Sequence, residues 1–386
     1  MNAQPDFLPY ARQDVSPEDR AAVEAILRSD WLTGGPAVEA FEAVLADAVN
    51  AGHAIACSSG TAALHLALAG LGIGQGDTCI VPAITFAATA NAARYLGARV
   101  VFADVDPATG LMTEETVEEA VSRAGGSVSA ILPVHLAGQC ADVTAIREAY
   151  PDIILIEDAA HAIGSAERGR TVGSASHSDA VCFSFHPVKT ITCGEGGAVT
   201  LRDKEIADRI RSLRSHGIVR NRNPKGGATC RWHYSQEAMG WNYRLTDIQA
   251  ALGRSQLSRL DTFVARRRSL VARYDSLLGS LSPAIRRLGR RAECDPCWHL
   301  YVARIDFNAC GTSREAVMNE LSNRGIGTQV HYIPVYHHPA HGCGDSFSLP
   351  GAEAYYQSCL SLPLFPAMRD DDPDRVVDAL RSVLGL

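Results

Sequence analysis

Short apolar runs alternate with amphipathic stretches along the first half of the chain. Short apolar runs between turn residues are typical of buried strands, whereas apolar residues that recur every three or four positions predict helices. The predicted strands are 53–57, 78–81, 100–103, 130–134, 153–156, 179–185 and 198–201, and the clearest predicted helices are 17–28, 37–49 and 62–69. Because strands and helices alternate, we expect an α/β fold with a mostly parallel sheet covered on both faces.

Beyond residue 201 the pattern becomes more helical. The predicted elements are helices at 203–214, 246–278, 313–323 and 371–384, and strands at 292–305 and 328–335. A large α/β domain followed by a smaller α+β domain accounts for this change. We therefore predict an N-terminal arm at 1–16, a large domain at 17–255 and a small C-terminal domain at 256–386.

Composition and charge exclude several classes of function. The net charge is −7 and no basic run is present, which argues against a nucleic-acid surface, and no apolar segment is long enough to span a membrane. Eleven cysteines without a signal peptide favour a reducing cytoplasm. Cys294 and Cys297 form a lone CxxC. Because no second pair has zinc-site spacing, we interpret this motif as a plain loop and expect no metal site.

One lysine follows a predicted buried strand. Lys189 lies after the run 179–185 and before a glycine turn at 194–197, and no carboxylate follows it closely until Glu195. Desolvation in such a loop lowers the pKa of a lysine and makes its amine a nucleophile toward aldehydes. Taken alone, an ordinary loop lysine remains the simpler interpretation.

A carboxylate upstream changes that interpretation. The run 153–156 predicts a parallel strand with Asp158 near its carboxyl end, where open α/β sheets bind ligands. A buried charge there needs a cation or hydrogen bonds. An aspartate followed by Lys189 fits a site for pyridoxal 5'-phosphate (PLP), which needs a lysine for the Schiff base and an acid for the pyridine nitrogen. Without Lys189, we would interpret Asp158 as a helix N-cap.

Three further positions are candidates for ligand contacts. Gly60 and Thr61 lead from a strand into a helix and predict an anion cradle, because a helix N-terminus offers free N–H groups and a positive dipole end. A Ser- or Thr-capped helix without a ligand is the alternative. For Phe86, position alone favours a core residue over a ring that stacks on a cofactor. Trp31 fits a ligand mouth and helix packing equally well.

Recognisable motifs are spread over nearly the whole chain. They are Ser-Gly-Thr-Ala-Ala-Leu-His-Leu-Ala-Leu at 59–68, Ile-Thr-Phe-Ala-Ala-Thr-Ala-Asn at 84–91, Glu-Asp-Ala-Ala-His at 157–161, Phe-Ser-Phe-His at 183–186, Asn-Tyr-Arg at 242–244 and Gln-Val-His-Tyr at 329–332. Together they resemble the DegT/StrS family of PLP-dependent sugar aminotransferases. The resemblance implies the type I, aspartate aminotransferase-like fold.

The resemblance also implies a role for each matching residue. It makes Lys189 the Schiff-base lysine and Asp158 the partner of the pyridine nitrogen, and it puts Phe86 on the face of the ring. The other implied cofactor contacts are Gly60, Thr61 and Ser184 at the phosphate, His161 beside the ring, and Asn242 and Arg244 from the second subunit of a homodimer with shared active sites. The implied substrate contacts are Tyr10, Trp31, Thr33, His216, His331 and Tyr332.

Within the family, the segments 28–33, 184–192, 214–218 and 246–253 are similar to the branch that serves pseudaminic acid synthesis. This similarity implies transfer of an amino group from L-glutamate to C4 of a UDP-4-keto-6-deoxy-N-acetylhexosamine, with ping-pong kinetics. The alternatives are an aminotransferase for a 4-keto-pentose or a D-series UDP or dTDP sugar, and a PLP dehydrase, in which histidine would replace Lys189. A non-catalytic ligand sensor would normally carry an added DNA-binding segment.

Overall fold

The computed structural model describes residues 7–220, 232–279, 281, 283–342, 344 and 347–386. The helices are α1 (Pro17–Leu27), α2 (Pro36–Val49), α3 (Gly60–Gly70), α4 (Ala88–Tyr95), α5 (Glu114–Ala124), α6 (Val143–Ala149), α7 (Lys204–Arg214), α8 (Asp247–Leu257), α9 (Leu260–Leu278), α10 (Arg314–Asn323), α11 (Pro350–Ser358) and α12 (Asp372–Leu384). The strands are β1 (His53–Cys57), β2 (Thr78–Pro82), β3 (Arg99–Ala103), β4 (Ala130–Ile131), β5 (Ile154–Asp158), β6 (Ala166–Glu167), β7 (Arg170–Thr171), β8 (Ala180–Ser184), β9 (Gly197–Leu201), β10 (Ile218–Arg220), β11 (Tyr234–Gln236), β12 (Ile285–Arg287), β13 (Cys294–Asp295), β14 (Tyr301–Ile305) and β15 (Cys359–Leu362). In this described part of the chain, every helix is too short or too polar to span a membrane.

A seven-stranded sheet forms the centre of the molecule, in the order β1-β9-β8-β5-β4-β2-β3. The neighbouring strands from β8 to β3 are parallel, whereas β9 is antiparallel to both β8 and β1. All strands except β9 therefore point the same way. This topology confirms the predicted α/β fold with a mostly parallel sheet.

Both faces of the central sheet are buried, because successive residues of a strand point to opposite sides. On one face, Ile55, Val81 and Ile156 pack against α3 and the elements around it. On the other face, Val181 and Phe183 pack against α2 and α8. Burial on both faces explains why these strands are nearly continuous apolar runs in the sequence.

The C-terminal part of the chain adds a three-stranded antiparallel sheet, β12-β14-β15. Leu8 is buried in its core, and the Leu8 backbone bonds to Gly325 and Gly327, so the N-terminal segment lies on the C-terminal part. Helix α9 joins the two cores, since Leu260 packs beneath the central sheet and Leu270 packs in the C-terminal cluster. The limits of the arm and of the two domains stay a prediction.

Two of the predicted C-terminal strands are wrong in their extent. The stretch 292–305 is two separate strands, β13 and β14, with Pro296 between them, which has no N–H to donate to a ladder. The stretch 328–335 forms only a bridge between Gln329 and Ser361 and then enters a 3-10 turn. Alternation of apolar residues therefore overestimated strand length where tight turns follow.

The single helix predicted at 246–278 is also wrong, because the chain forms α8 and α9 in succession. They are separated at Ser258, whose hydroxyl donates to a carbonyl oxygen in the last turn of α8. Arg259 follows and donates hydrogen bonds of 2.9 Å to the Asp14 carboxylate and 2.6 Å to the Asp19 carboxylate. The break between the helices thus positions a guanidinium that holds α1 and the segment before it.

Helix α2 is capped by a residue from another helix. Gly35 precedes α2 and has no side chain to cap it. The fully buried carboxylate of Asp247 accepts hydrogen bonds from the backbone N–H groups of Gly35 (2.8 Å) and Ala37 (2.9 Å). Thr246 and Gln249 form a capping box at the start of α8, which fixes Asp247 in place. One carboxylate therefore connects the N-termini of α2 and α8.

We expect Asp247→Ala to lower the free energy of unfolding by about 2 kcal/mol, because it removes a cap and leaves two N–H groups without an acceptor. Denaturant unfolding followed by circular dichroism measures this loss. Asp261→Ala is the matched control, since Asp261 is exposed in the first turn of α9. Its effect should stay within about 0.5 kcal/mol. Equal losses in the two variants would contradict the proposed capping role.

Candidate active site

The carboxyl ends of three strands lie at the same edge of the central sheet, because these strands point the same way. Strand β1 continues into α3, β5 ends at Asp158, and β8 ends at Ser184, just before the loop that carries Lys189. The chain then returns through β9. Residues from distant parts of the sequence therefore meet at the edge where open α/β sheets bind ligands.

The N-terminus of α3 packs directly on the end of β8. A Cβ atom at Gly60 would lie 2.7 Å from the Ser184 Cβ atom, so only glycine fits there. Ser59 caps α3 by accepting a hydrogen bond of 3.1 Å from the N–H of Ala62. Gly60, Thr61 and Ser184 are all partly exposed. They surround a helix N-terminus whose geometry suits a phosphate group.

Lys189 is partly exposed in the loop between β8 and β9, where its N–H donates to the His186 carbonyl oxygen. Burial of the amine lowers the pKa of Lys189 from 10.5 to about 8, and the negative charge of Asp158 opposes this shift. The lysine amine is therefore neutral in a large fraction of molecules at mildly alkaline pH. A neutral amine is the form that attacks a carbonyl group.

Asp158 is 5% exposed and is held by neighbouring residues. One carboxylate oxygen accepts a hydrogen bond of 2.7 Å from the Thr89 hydroxyl, and the other accepts one of 3.1 Å from the N–H of Ala160. The Thr85 hydroxyl lies 2.7 Å from that of Thr89 and extends this network. Residues 159–165 form turns, so the alternative of a helix N-cap at Asp158 is wrong.

Phe86 is 62% exposed, so the core position favoured by sequence position alone is wrong. Its carbonyl oxygen accepts a hydrogen bond from the N–H of Thr89, and the Thr89 hydroxyl donates to Asp158. Its ring centroid lies 6.1 Å from that of Tyr332. A large exposed apolar ring beside a buried carboxylate offers one face for a planar aromatic ligand.

The hydrogen bonds of His161 assign its tautomer. The N–H of Ala137 donates to His161 Nδ1 at 3.3 Å, and because a backbone amide only donates, Nδ1 carries no proton. The ring proton is therefore on Nε2, which donates to the Tyr332 hydroxyl oxygen at 3.1 Å. Burial, together with the positive charge of Lys189, lowers the pKa of His161 well below 6.5, in agreement with a neutral ring. The hydroxyl hydrogen of Tyr332 remains available to another acceptor.

The C-terminal part of the chain and the N-terminal segment contribute further residues beside Tyr332. His331 is buried, and its Nδ1 atom lies 2.8 Å from the Ser361 hydroxyl. The ring of Tyr10 lies 5.6 Å from that of His331. Burial first, and then the charge of Lys189, lowers the pKa of His331 to about 3. His331 is therefore a neutral hydrogen-bonding group near the lysine.

Two of the predicted substrate residues lie before α2. Trp31 is 55% exposed. It lies close to Gly35, because a Cβ atom placed at Gly35 would be 2.5 Å from the Trp31 Cβ atom. Thr33 forms an antiparallel bridge with Thr246. The described contacts of this segment are with the start of α8, and they do not bring Trp31 or Thr33 into contact with Lys189.

Three more predicted residues lie along the segment that follows α7. His216 donates its N–H to the Trp241 carbonyl oxygen, Asn242 forms a bridge with Ser215, and Arg244 forms a bridge with Cys57. The side chains of His216, Asn242 and Arg244 are exposed. The described contacts within one chain therefore do not bring these three residues into contact with Lys189.

Two members of the cluster were missed from the sequence. Thr89 was recognisable only as part of a motif, because its hydroxyl meets that of Thr85, which precedes α4, only in the folded chain. His299 is buried, and its ring centroid lies 4.4 Å from that of His161. Burial lowers the pKa of His299 well below 6.5. No periodic pattern around His299 marked it, because its place depends on the packing of distant segments.

Comparison with known proteins identifies the family. The sequence model of the DegT/DnrJ/EryC1/StrS aminotransferase family matches residues 13–381. The chain belongs to this family. SpsC of Bacillus subtilis (strain 168), a spore coat polysaccharide biosynthesis protein, is 39% identical over 391 residues, which cover 98% of this chain and 97% of SpsC.

Two solved structures extend the comparison. DesV of S. venezuelae, determined in complex with a ketimine intermediate, is 37% identical, with a TM-score of 0.85 over 96% of this chain and 95% of DesV. PseC of Helicobacter pylori, an aminotransferase involved in the biosynthesis of pseudaminic acid, is 27% identical, with a TM-score of 0.90 over 98% of this chain and 99% of PseC. The likeness therefore extends over nearly the whole of each chain.

The protein is thus a PLP-dependent sugar aminotransferase, which confirms the predicted enzyme class and cofactor. One solved relative was determined in its PLP form. The residues present fit the cofactor. Phe86 offers an exposed ring, Gly60 leaves room at a helix N-terminus, and Asp158 is a buried carboxylate.

We expect the amine of Lys189 in the PLP-free sugar aminotransferase to react with acetic anhydride half-maximally near pH 8, because its pKa is about 8. The chain has only three lysines, Lys189, Lys204 and Lys225, so peptide mass spectrometry resolves each of them. Exposed Lys204 serves as the internal reference for decay of the reagent. A midpoint for Lys189 near 10.5, the value of an unperturbed lysine, would refute the effect of burial.

Proposed function

We propose that this sugar aminotransferase moves the amino group of L-glutamate to C4 of UDP-2-acetamido-2,6-dideoxy-β-L-arabino-hexos-4-ulose. The product is UDP-4-amino-4,6-dideoxy-N-acetyl-β-L-altrosamine, a precursor of pseudaminic acid, and the activity is that of its transaminase. The likeness to PseC over 98% of this chain, at a TM-score of 0.90, carries the proposal. The segments 28–33, 184–192, 214–218 and 246–253 support it from the sequence.

A second candidate is amination of another nucleotide-linked 4-ketosugar. It is favoured by the higher identity to SpsC (39%) and DesV (37%) than to PseC (27%). Both candidates use the same lysine, aspartate and amino donor. They differ in the sugar and the nucleotide, so a direct comparison of substrates separates them.

In either case, Lys189 is the group that moves the proton. Bound PLP supplies an electron sink that stabilises negative charge on the carbon from which the proton leaves. Because the pKa of Lys189 is about 8, Nζ accepts that proton as a neutral amine and later returns it as an ammonium. Asp158, fixed by Thr89 and Ala160, would supply the buried negative charge that pairs with the pyridine nitrogen.

The other residues of the cluster bind and orient. Phe86, whose ring is exposed, would cover one face of the ring of bound PLP and keep water from it. Gly60, Thr61 and Ser184 would hold the phosphate at the N-terminus of α3. We assign the substrate side to His331 and Tyr332, and also to the remaining predicted contacts, which are Tyr10, Trp31, Thr33 and His216.

We expect Lys189→Ala to reduce kcat by about a thousandfold or more, because it removes the base and acid of the reaction. The assay follows formation of the 4-amino sugar from L-glutamate and the UDP-linked L-arabino 4-ketosugar. Lys204→Ala, at an exposed lysine, should leave the rate unchanged. Normal turnover by Lys189→Ala would overturn the assigned role of the lysine.

The same assay tests the substrate. The L-arabino sugar is compared with its D-series UDP isomer, a UDP-4-keto-pentose and a dTDP-4-keto-6-deoxy sugar. We expect kcat/KM to be highest for the L-arabino sugar, by at least about tenfold, which corresponds to about 1.4 kcal/mol of transition-state binding. A preference for any other sugar would reject the assignment to pseudaminic acid and leave the aminotransferase in place.

We also propose a homodimer in which Asn242 and Arg244 of one subunit reach the phosphate site of the other. Both side chains are exposed, although the Asn242 backbone forms a bridge with Ser215 and the Arg244 backbone forms one with Cys57 of β1. The ring of Tyr95, which is 60% exposed, lies in the same region, because it contacts His65 and the His65 ring also contacts Tyr243. Large exposed apolar side chains are typical of surfaces that a partner covers.

Mixing two inactive variants tests the shared site. Lys189→Ala removes the lysine, and Asn242→Ala removes the contact that the partner would supply. After unfolding and refolding together, a mixed dimer contains one site with both residues intact, so we expect activity of about half the wild-type rate per mixed dimer. Each variant refolded alone is the control. Absence of recovery from a mixture that contains proven mixed dimers would refute the shared site.

We place the enzyme in the cytoplasm. The nine cysteines within the described residues are all free thiols, which suits a reducing compartment. Fractionation of cells that express the enzyme, followed by an activity assay, tests this location directly.

A further inference from the structure

The two cysteines of the CxxC motif contact different parts of the chain. Cys297 is buried, and its thiol donates to the carbonyl oxygen of His161 at 3.2 Å. Cys294, in β13, is partly exposed, and its sulfur accepts a hydrogen bond of 3.1 Å from the N–H of Cys140. The two thiols therefore point to different surroundings, and the spacing in the sequence does not identify the reactive pair.

The spatial partner of Cys294 is Cys140, which lies 154 residues away in the sequence. The Cys294 sulfur therefore lies beside the Cys140 backbone, and each thiol affects the pKa of the other. Both backbones are also held in place. Cys294 of β13 pairs with Glu167 of β6. Arg291 donates to both the Cys140 carbonyl oxygen (2.8 Å) and the Glu167 carboxylate (2.9 Å). The Cys294 sulfur thus lies beside Cys140, between two restrained segments.

The charges around the pair make the two thiols unequal. The neighbouring Cys140 thiol lowers the pKa of Cys294, the hydrogen bond from the Cys140 N–H adds to this, and His135 and Arg291 contribute positive charge. The neighbouring Cys294 thiol and burial raise the pKa of Cys140. Glu167 and Asp142 also face this region and pair with Arg291. Cys294 is therefore the more nucleophilic and more accessible thiol.

We propose that Cys140 and Cys294 form a reversible dithiol–disulfide site that is oxidised by hydrogen peroxide. The Cys294 thiolate attacks one peroxide oxygen, which breaks the O–O bond and gives a sulfenic acid and hydroxide, which takes up a proton to become water. The Cys140 thiol then attacks the Cys294 sulfur, forms the S–S bond and releases a second water. Two thiols lose two electrons in total, and one peroxide becomes two waters.

The position of the pair connects it to the active site. Ala137, in the segment that ends at Cys140, donates its N–H to His161 Nδ1. The segment after Cys294 carries Cys297, which donates to the His161 carbonyl oxygen, and His299, whose ring packs on that of His161. A disulfide would join the two segments that hold His161. Such transient disulfides are the kind found in reducing compartments.

The test uses the PLP-loaded enzyme and a small molar excess of hydrogen peroxide. After an acid quench and alkylation in denaturant, non-reducing peptide mapping by mass spectrometry identifies the bonded cysteines. We expect a Cys140–Cys294 cross-linked peptide that disappears after treatment with dithiothreitol. A Cys294–Cys297 link, or no link at Cys140 under conditions that oxidise Cys294, would overturn the proposal.

Three variants and one internal control make the test specific. Cys297→Ser should keep the cross-link. Cys140→Ser should abolish it and leave Cys294 as a sulfenic acid that dimedone traps. Cys310 is the internal reference in the wild-type enzyme, because it is also partly exposed but burial and Asp306 raise its pKa. We expect Cys294 to be alkylated by N-ethylmaleimide about tenfold faster than Cys310; equal rates would contradict the reactivity of Cys294. Cys294→Ser should lack the cross-link altogether.

Discussion

A buried carboxylate is the constraint around which the site is built. Asp158 is almost fully enclosed at the end of β5, and an isolated charge there would be costly. Thr89 and Ala160 each donate a hydrogen bond to it, and Lys189 lies near enough for the carboxylate to raise the lysine pKa. The two hydrogen bonds come from a helix and a turn, and Lys189 lies in a loop, so the carboxylate relates the positions of all three segments. The negative charge of Asp158 can still pair with a cation, and this suits the carboxylate to a protonated pyridine nitrogen.

The reversal at β9 is the second requirement. Because β9 runs against β8, the chain must pass over the carboxyl edge of the sheet between them, and Lys189 lies in that passage. The return brings Gly197 so close to Ser59 that a Cβ atom at Gly197 would lie 2.3 Å from the Ser59 carbonyl oxygen. Gly60 is equally restricted by Ser184. The loop that carries Lys189 and the N-terminus of α3 are therefore positioned by the same pair of close contacts.

Sequence reasoning succeeded where local pattern and strand direction decide the outcome. The parallel sheet follows from apolar runs. Asp158 and Lys189 were predicted to share a cofactor site because each follows an apolar run and because an aspartate followed by a lysine fits PLP. It failed where distant segments pack together. The contact of Asp247 with the start of α2 and that of Cys140 with Cys294 join residues more than 150 positions apart, and neither has a local signal.

The restraints on His161 explain how work is divided within the site. Its Nδ1 accepts from Ala137 and its Nε2 donates to Tyr332, so neither nitrogen is free to carry a proton between reacting groups. His299 packs against the ring and further restricts its rotation. A histidine restrained in this way orients its neighbours, which agrees with the proposal that Lys189, with its flexible stem and its pKa of about 8, moves the proton. The same reasoning explains why burial, which would be a disadvantage for an acid–base histidine, suits an orienting one.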